Sequence, residues 1–197
     1  MPKNSTATAP NLRTSFQSVE DEVKDLHINV EEELDKRKDY RDLATVTIDP
    51  KTAKDYDDGL SVELRKEGGW RLYVHIADVS HFVRPGMAVD HEGLERSTSV
   101  YPVDRVVPML PNKLSSFLCS LLPNQDRLTV TAVIDFDEKG RMVGKQAHSS
   151  IINSDYRLTY EQVQAVFDNK SEEIHAFRDL VPVLRELRSL ASRLRKN

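Results

Sequence analysis

The stretch Leu128-Thr129-Val130-Thr131-Ala132-Val133-Ile134-Asp135-Phe136 puts Leu128, Val130, Ala132, Ile134 and Phe136 on alternate positions. A two-residue period is that of a β-strand with one face buried, and a slip of one residue would turn every apolar side chain to the wrong face. Asp137-Glu138-Lys139-Gly140 follows as a turn, and Arg141 to Ala147 reads as the returning strand. A second hairpin is predicted earlier: Leu60 to Leu64 alternates, Gly68-Gly69 supplies the turn, and Trp70 to Val79 returns. Thr45-Val46-Thr47-Ile48 is a further short strand ahead of an Asp-Pro.

Helical text surrounds these strands. Residues 1–18 are small and polar without periodicity and read as a loose leader. Residues 19–41 form a charged helical linker whose apolar positions Val19, Val23, Leu26, Val30 and Leu34 recur at helical spacing, as a surface or bridging helix in one or two pieces. Asp90 is a candidate cap for a helix through Arg96, and Pro102, Pro108 and Pro111 predict extended or looped chain after it. Thr159 with Gln162 is a capping box opening a helix that ends near Asp168-Asn169. A last helix, Leu180 to Leu194, stripes Leu180, Leu184, Leu187, Ala191 and Leu194, with Pro182 tolerable only in its first turn. Antiparallel hairpins with interspersed helices define an α+β fold with an antiparallel sheet.

Several classes are disfavoured. The first 30 residues contain no apolar signal region, and the hydrophobic run Val106-Val107-Pro108-Met109-Leu110 is far short of a membrane span. Cys119 is the single cysteine, so it has no disulfide partner within the chain and the cytoplasm is the default compartment. A net charge of −4 argues against gripping nucleic acid by bulk positive charge.

The most informative segment is Asp49-Pro50-Lys51-Thr52-Ala53-Lys54-Asp55-Tyr56-Asp57-Asp58. Four aspartates in a short turn-rich stretch repel one another unless cations intervene, and all-carboxylate ligands select Mg²⁺ or Mn²⁺ over zinc. An EF-hand is excluded, because a loop starting at Asp55 would place Lys66 where the twelfth-position Glu is needed. The competing reading is a solvated acidic turn. Elsewhere, His75 and His81 read as hydrogen-bonding structural residues, Asp78 as a turn-holder, Cys119 as a buried small residue and Arg105 as a surface arginine.

The text around the aspartates adds to this. The Asp49 to Asp58 segment, Val74-His75-Ile76-Ala77-Asp78-Val79-Ser80-His81-Phe82-Val83, Thr98-Ser99-Val100-Tyr101 and Pro108-Met109-Leu110-Pro111-x-x-Leu114-Ser115 resemble, in order and spacing, the catalytic (RNB) domain of the ribonuclease II and ribonuclease R family. Leu118-Cys119-Ser120-Leu121, Ile152-x-Ser154-x-x-Arg157-Leu158-Thr159-Tyr160 and Leu187-x-x-Leu190-Ala191-x-x-Leu194-Arg195 continue it, and Lys36 to Asp42 is most similar to the ribonuclease R branch. The resemblance covers roughly Arg37 to the C-terminus.

The resemblance implies a processive hydrolytic exoribonuclease that degrades single-stranded RNA from the 3′ end and releases nucleoside 5′-monophosphates. It implies that Asp49 and Asp58 hold a catalytic Mg²⁺, or Mn²⁺, that Asp55 and Asp57 complete the metal site, and that Asp57 lies closest to the chemistry. Tyr101 falls on the position whose ring stacks against the RNA near its 3′ end. Family members carry OB-type domains on either side and a longer catalytic domain. Residues 42–197 are therefore expected to be the N-terminal part of an incomplete RNB-type domain, a fragment with weak or no activity alone and a tendency to self-associate. The alternative is a truncated non-catalytic RNA-binding or regulatory protein.

Overall fold

A computed structural model describes residues 19–103 and 105–196. The leader predicted for 1–18 lies outside the described residues. A seven-stranded sheet runs through the molecule: β1 (Lys38–Asp39), β2 (Val46–Asp49), β3 (Asp58–Leu64), β4 (Trp70–Ala77), β5 (Asp126–Phe136), β6 (Met142–Asn153) and β7 (Tyr156–Thr159), in the order β1-β6-β5-β4-β3-β2-β7. Both predicted hairpins are present, β3 with β4 and β5 with β6, and β4 pairs antiparallel with β5 between them. The edges differ from the purely antiparallel expectation, since β1 pairs parallel with β6 and β2 pairs parallel with β7. β7 carries no two-residue apolar repeat, and its pairing partner lies about a hundred residues upstream, so only the folded chain defines it.

The helices are α1 (Glu20–Val23), α2 (Val30–Leu34), α3 (Val79–Phe82), α4 (Ala88–Arg96), α5 (Tyr160–Phe167), α6 (Ser171–Ala176) and α7 (Val181–Leu194), with a π-helical segment at Lys113–Leu118. The N-terminal segment forms two short helices, the two-piece form of the expectation. Val19 and Val23 are buried in the main core with Phe82, Val89, Leu114, Leu121 and Ile152, and Leu26, Ile28, Val30 and Leu34 pack against it, so it is a strap on the domain and not a bridge. Glu22 fastens the strap by accepting from the backbone N–H groups of Ala88 and Val89, at 3.0 and 2.8 Å. That carboxylate occupies the N-terminus of α4, which begins two residues before Asp90. Asp90 therefore lies in the first turn, accepting from Gly86 N–H at 2.9 Å, and is not the cap. The stretch after the three prolines is looped only in part, because Lys113–Leu118 coils.

The Thr159 capping box forms as read, with Thr159 Oγ1 accepting from Gln162 N–H and Gln162 Oε1 from Thr159 N–H. Pro182 sits in the first turn of α7, where its missing N–H costs nothing. Leu180 and Leu184 are buried with Val46, Leu158 and Val166. Further along, the buried stripe passes through Leu190, which meets Trp70 and Phe136, and leaves Leu194 exposed.

Polar side chains line part of the sheet interior in an unbroken row. Thr45 Oγ1 and Ser61 Oγ are 2.7 Å apart, Ser61 Oγ is 3.0 Å from His75 Nε2, His75 Nδ1 is 2.7 Å from Thr131 Oγ1, and Thr131 Oγ1 meets Ser150 Oγ. All five are buried, and each hydroxyl or ring nitrogen satisfies the next. His75 thus has the structural role its sequence context implied. Asp78 does too: its carboxylate accepts from Ser80 Oγ at 2.6 Å and pairs with Arg37 at 2.8 Å. Burial opposes ionisation there, but the bonds from Ser80 and Arg37 hold the carboxyl below the usual range.

Candidate active site

The acidic segment is the connection between two adjacent strands. Asp49 ends β2, Asp58 begins β3, and residues 50–57 loop between them. Asp49 also lies opposite Thr159 in the parallel β2–β7 pair, so the loop springs from a four-residue ladder on one side and the β3–β4 hairpin on the other. Its course is fixed by bonds the sequence did not advertise. Arg157, on β7, donates from Nη2 to the carbonyls of Lys51 and Ala53, at 3.1 and 3.5 Å, and its guanidinium lies over the Tyr56 ring at 4.5 Å. Tyr56 is buried, donates its hydroxyl to Ala53 O at 2.7 Å, gives its N–H to Ser120 Oγ and accepts from Leu121 N–H. Arg157, Tyr56 and Ser120 stand inside recognisable motifs, yet nothing in their spacing shows that they clamp this loop.

Asp49, Asp55 and Asp57 line a cleft of about 1150 Å³, and Asp58 adjoins it through its neighbour Asp57. Asp49 Oδ2 and the nearby Thr47 Oγ1 are both buried without a hydrogen-bond partner at bonding distance, although the Thr47 hydroxyl acts to lower the carboxyl. The Asp49 carboxyl is held above the ordinary range by burial first and then by the charges of Asp58 and Asp57. Asp58 is exposed as a residue, yet partial desolvation of its carboxyl and the charge of Asp57 raise it likewise. Asp57 is exposed, and its backbone carbonyl accepts from Ala77 N–H at 2.9 Å. The structure therefore brings Asp49, Asp57 and Asp58 within electrostatic reach of one another. Asp55 is differently engaged, accepting a 3.0 Å hydrogen bond from the hydroxyl of Tyr101.

Tyr101 stands on the opposite wall. Mutual backbone bonds between Val100 and Val107, both 2.8 Å, close the segment on itself, and Met109 N–H donates to Ser99 Oγ at 2.9 Å. Val107 is buried beneath, while Tyr101 is 63% exposed. Val103, Val106 and Phe117 add exposed apolar surface to the same cleft, and Arg105 and Lys54 also line it. Cys119 is buried, with burial pushing its thiol up to about 12, so it offers no nucleophile.

Among the described residues, no three His, Cys, Asp or Glu side chains form a group that could by itself hold a metal ion. The donor set suits a hard cation that takes one or two carboxylates and completes its shell with water and substrate oxygen, as Mg²⁺ does. The buried Asp49 oxygen, on a carboxyl raised first by burial and then by its acidic neighbours against the Thr47 hydroxyl, is the feature such a cation would relieve.

Comparison with known proteins places this site in context. The model of the RNB domain matches residues 37–197. The chain is 46% identical over 147 residues to ribonuclease R of Thermotoga maritima, covering 74% of this chain. It is 42% identical over 175 residues to ribonuclease R of Vibrio parahaemolyticus, covering 88%. It spans 21% of the length of each of these relatives. The structure of Mycoplasma genitalium RNase R in complex with double-stranded RNA superposes with a TM-score of 0.86 at 35% identity, covering 95% of this chain and 33% of that one. With the strands, the aspartate loop and the Tyr101 wall all falling inside the matched residues, the chain belongs to the RNB-domain family of ribonucleases.

Proposed function

We propose that this chain carries the acidic, cation-binding part of a hydrolytic 3′-to-5′ exoribonuclease centre for single-stranded RNA, with Mg²⁺ or Mn²⁺ as cofactor and nucleoside 5′-monophosphates as products. The observation that carries the reading is the partnerless buried oxygen of Asp49, beside Asp57 and Asp58, in a cleft faced by an exposed tyrosine. Asp49 and Asp58 would hold the cation. When bound, it supplies charge neutralisation and Lewis-acid polarisation of a phosphate. Asp57, exposed in the cleft, presents acceptor oxygens to water at the scissile phosphate. Tyr101 offers a ring face to the terminal base, a contact every base can make. The proposed setting is the cytoplasm; among the described residues no helix is long and apolar enough to cross a membrane.

Thermal melting with added Mg²⁺ or Mn²⁺ tests this. An ion that binds only the folded chain raises its melting temperature. The rise is expected in the wild type and lost in Asp49→Asn and Asp58→Asn, whereas a wild type indifferent to both ions would remove the cation site. An ion-indifferent chain that still bound single-stranded RNA would be the non-catalytic binder instead.

A further inference from the structure

Of the four aspartates, Asp55 is set apart by what its carboxylate does. One oxygen is committed to the hydroxyl of Tyr101 at 3.0 Å. The charges that act on Asp49 are those of Asp58, Asp57 and Arg157, and the charge that acts on Asp58 is that of Asp57, whereas Asp55 acts on the two tyrosines, Tyr101 and Tyr56. Asp57 also acts on Tyr101 and Asp49 on Tyr56 by charge, but Asp55 is the aspartate of the segment whose carboxylate bonds the Tyr101 hydroxyl. Asp49 and Asp58 stand at the strand ends, whereas Asp55, in the loop between them, bonds across the cleft to the facing wall.

Tyr101 needs such a partner. Its backbone is held by the Val100–Val107 bridge, but a ring 63% exposed has little packing to select one rotamer. A hydrogen bond from its hydroxyl to an ionised acceptor is stronger than one to a neutral group and fixes the far end of the ring. The acceptor is itself on a fixed loop, because Arg157 ties the carbonyls of Lys51 and Ala53 and Tyr56 is buried beneath. We propose that Asp55 is a positioning residue for Tyr101: its carboxylate holds the phenol ring across the cleft at the orientation in which a nucleobase stacks, and it lies outside the cation's ligand set. This rests on the reading of the cleft as a site for single-stranded RNA.

The test uses Asp55→Ala, Asp55→Asn, Tyr101→Phe and the double variant Asp55→Ala/Tyr101→Phe in the full chain. Two probes are read: Mn²⁺ binding by electron paramagnetic resonance, and quenching of a 2-aminopurine at the 3′ end of a single-stranded RNA oligomer, which reports stacking. Asp55→Ala and Tyr101→Phe are expected to weaken quenching several-fold and equally, with no further loss in the double variant. Asp55→Asn, whose amide oxygen accepts the same bond, is expected to restore it, and Mn²⁺ affinity is expected to be unchanged in all four. Loss of Mn²⁺ binding in Asp55→Asn comparable to that in Asp49→Asn, or additive losses in the double variant, would overturn the assignment. If the wild type binds Mn²⁺ but quenches nothing, the RNA reading fails separately. The assignment is then decided by melting temperature: equal, non-additive shifts for Asp55→Ala and Tyr101→Phe uphold it and independent shifts end it.

Discussion

At the scale of single residues, His75 shows how burial decides chemistry. Its ring is fully buried, bonded to Ser61 and Thr131 and stacked on Tyr73 at 6.1 Å and 10°. Burial lowers its pKa from 6.5 to about 4. The unfolded chain then binds a proton that the folded chain refuses, so the stability contributed by the neutral ring is complete above the unfolded value and lost as pH falls toward 4. Urea melts at pH 7 and at a pH of about 4.5 should show a loss on the order of 2–3 kcal/mol, and His75→Asn should flatten that dependence. Asp49 and Asp58 run the other way. Their folded values are raised, so they destabilise the metal-free chain at neutral pH, and that destabilisation fades as pH falls through the raised values toward 3.8. The four aspartates were legible in the sequence because chemistry of that kind needs charge in one short segment. The hydrogen bond between Asp55 and Tyr101 was not, because the two residues stand 46 positions apart.

Among the elements, the hairpins carry the architecture and the loop between β2 and β3 carries the site. Gly69 closes the β3–β4 turn at φ +84°, and a Cβ there would stand 2.1 Å from the carbonyl oxygen of Phe136. Gly69→Ala should therefore cost more than about 1 kcal/mol of stability in denaturant melts. Because the turn is at the far end of β3 from Asp58, the ion-induced rise in melting temperature should persist. Arg157 is the opposite case. Replacing it with Met removes two bonds to loop carbonyls and the contact over Tyr56, which should lower stability by about 1 kcal/mol and reduce the response to Mg²⁺. Lys is not expected to rescue, since a point-charge ammonium cannot replace a planar guanidinium that both bonds the carbonyls and lies over the ring. Melts of Arg157→Met and Arg157→Lys with and without Mg²⁺ check both points. Alternation and turn residues made the strands β3 to β5 and the return into β6 readable, and the Thr159–Gln162 box made α5 readable, since those signals are local. The buried face of β5 was not, because Thr129, Thr131 and Val133 are buried while Val130 of the apolar face is 41% exposed. β1 and β7 are short edge strands paired in parallel with distant segments, and no local signal encodes them.

For the molecule as a whole, a net charge of −4 sits uneasily with the polyanionic substrate proposed for it, and the acidic cleft is where the conflict is sharpest. A bound cation would lift it locally. The chain spans 21% of the length of the ribonuclease R relatives reported above. The purified chain is expected to release little or no mononucleotide from a 3′-labelled single strand in Mg²⁺, and robust release would overturn that. By itself, the sequence determined the α+β class, the two hairpins, the acidic segment and its family, because alternation, turn residues and clustered charge act over a few neighbours. Only the tertiary structure decided that the N-terminal helices strap onto the core, that Arg157 clamps the aspartate loop and that Asp55 answers to Tyr101. Those contacts join residues tens of positions apart, and burial and bond geometry select them only once the sheet has brought them together.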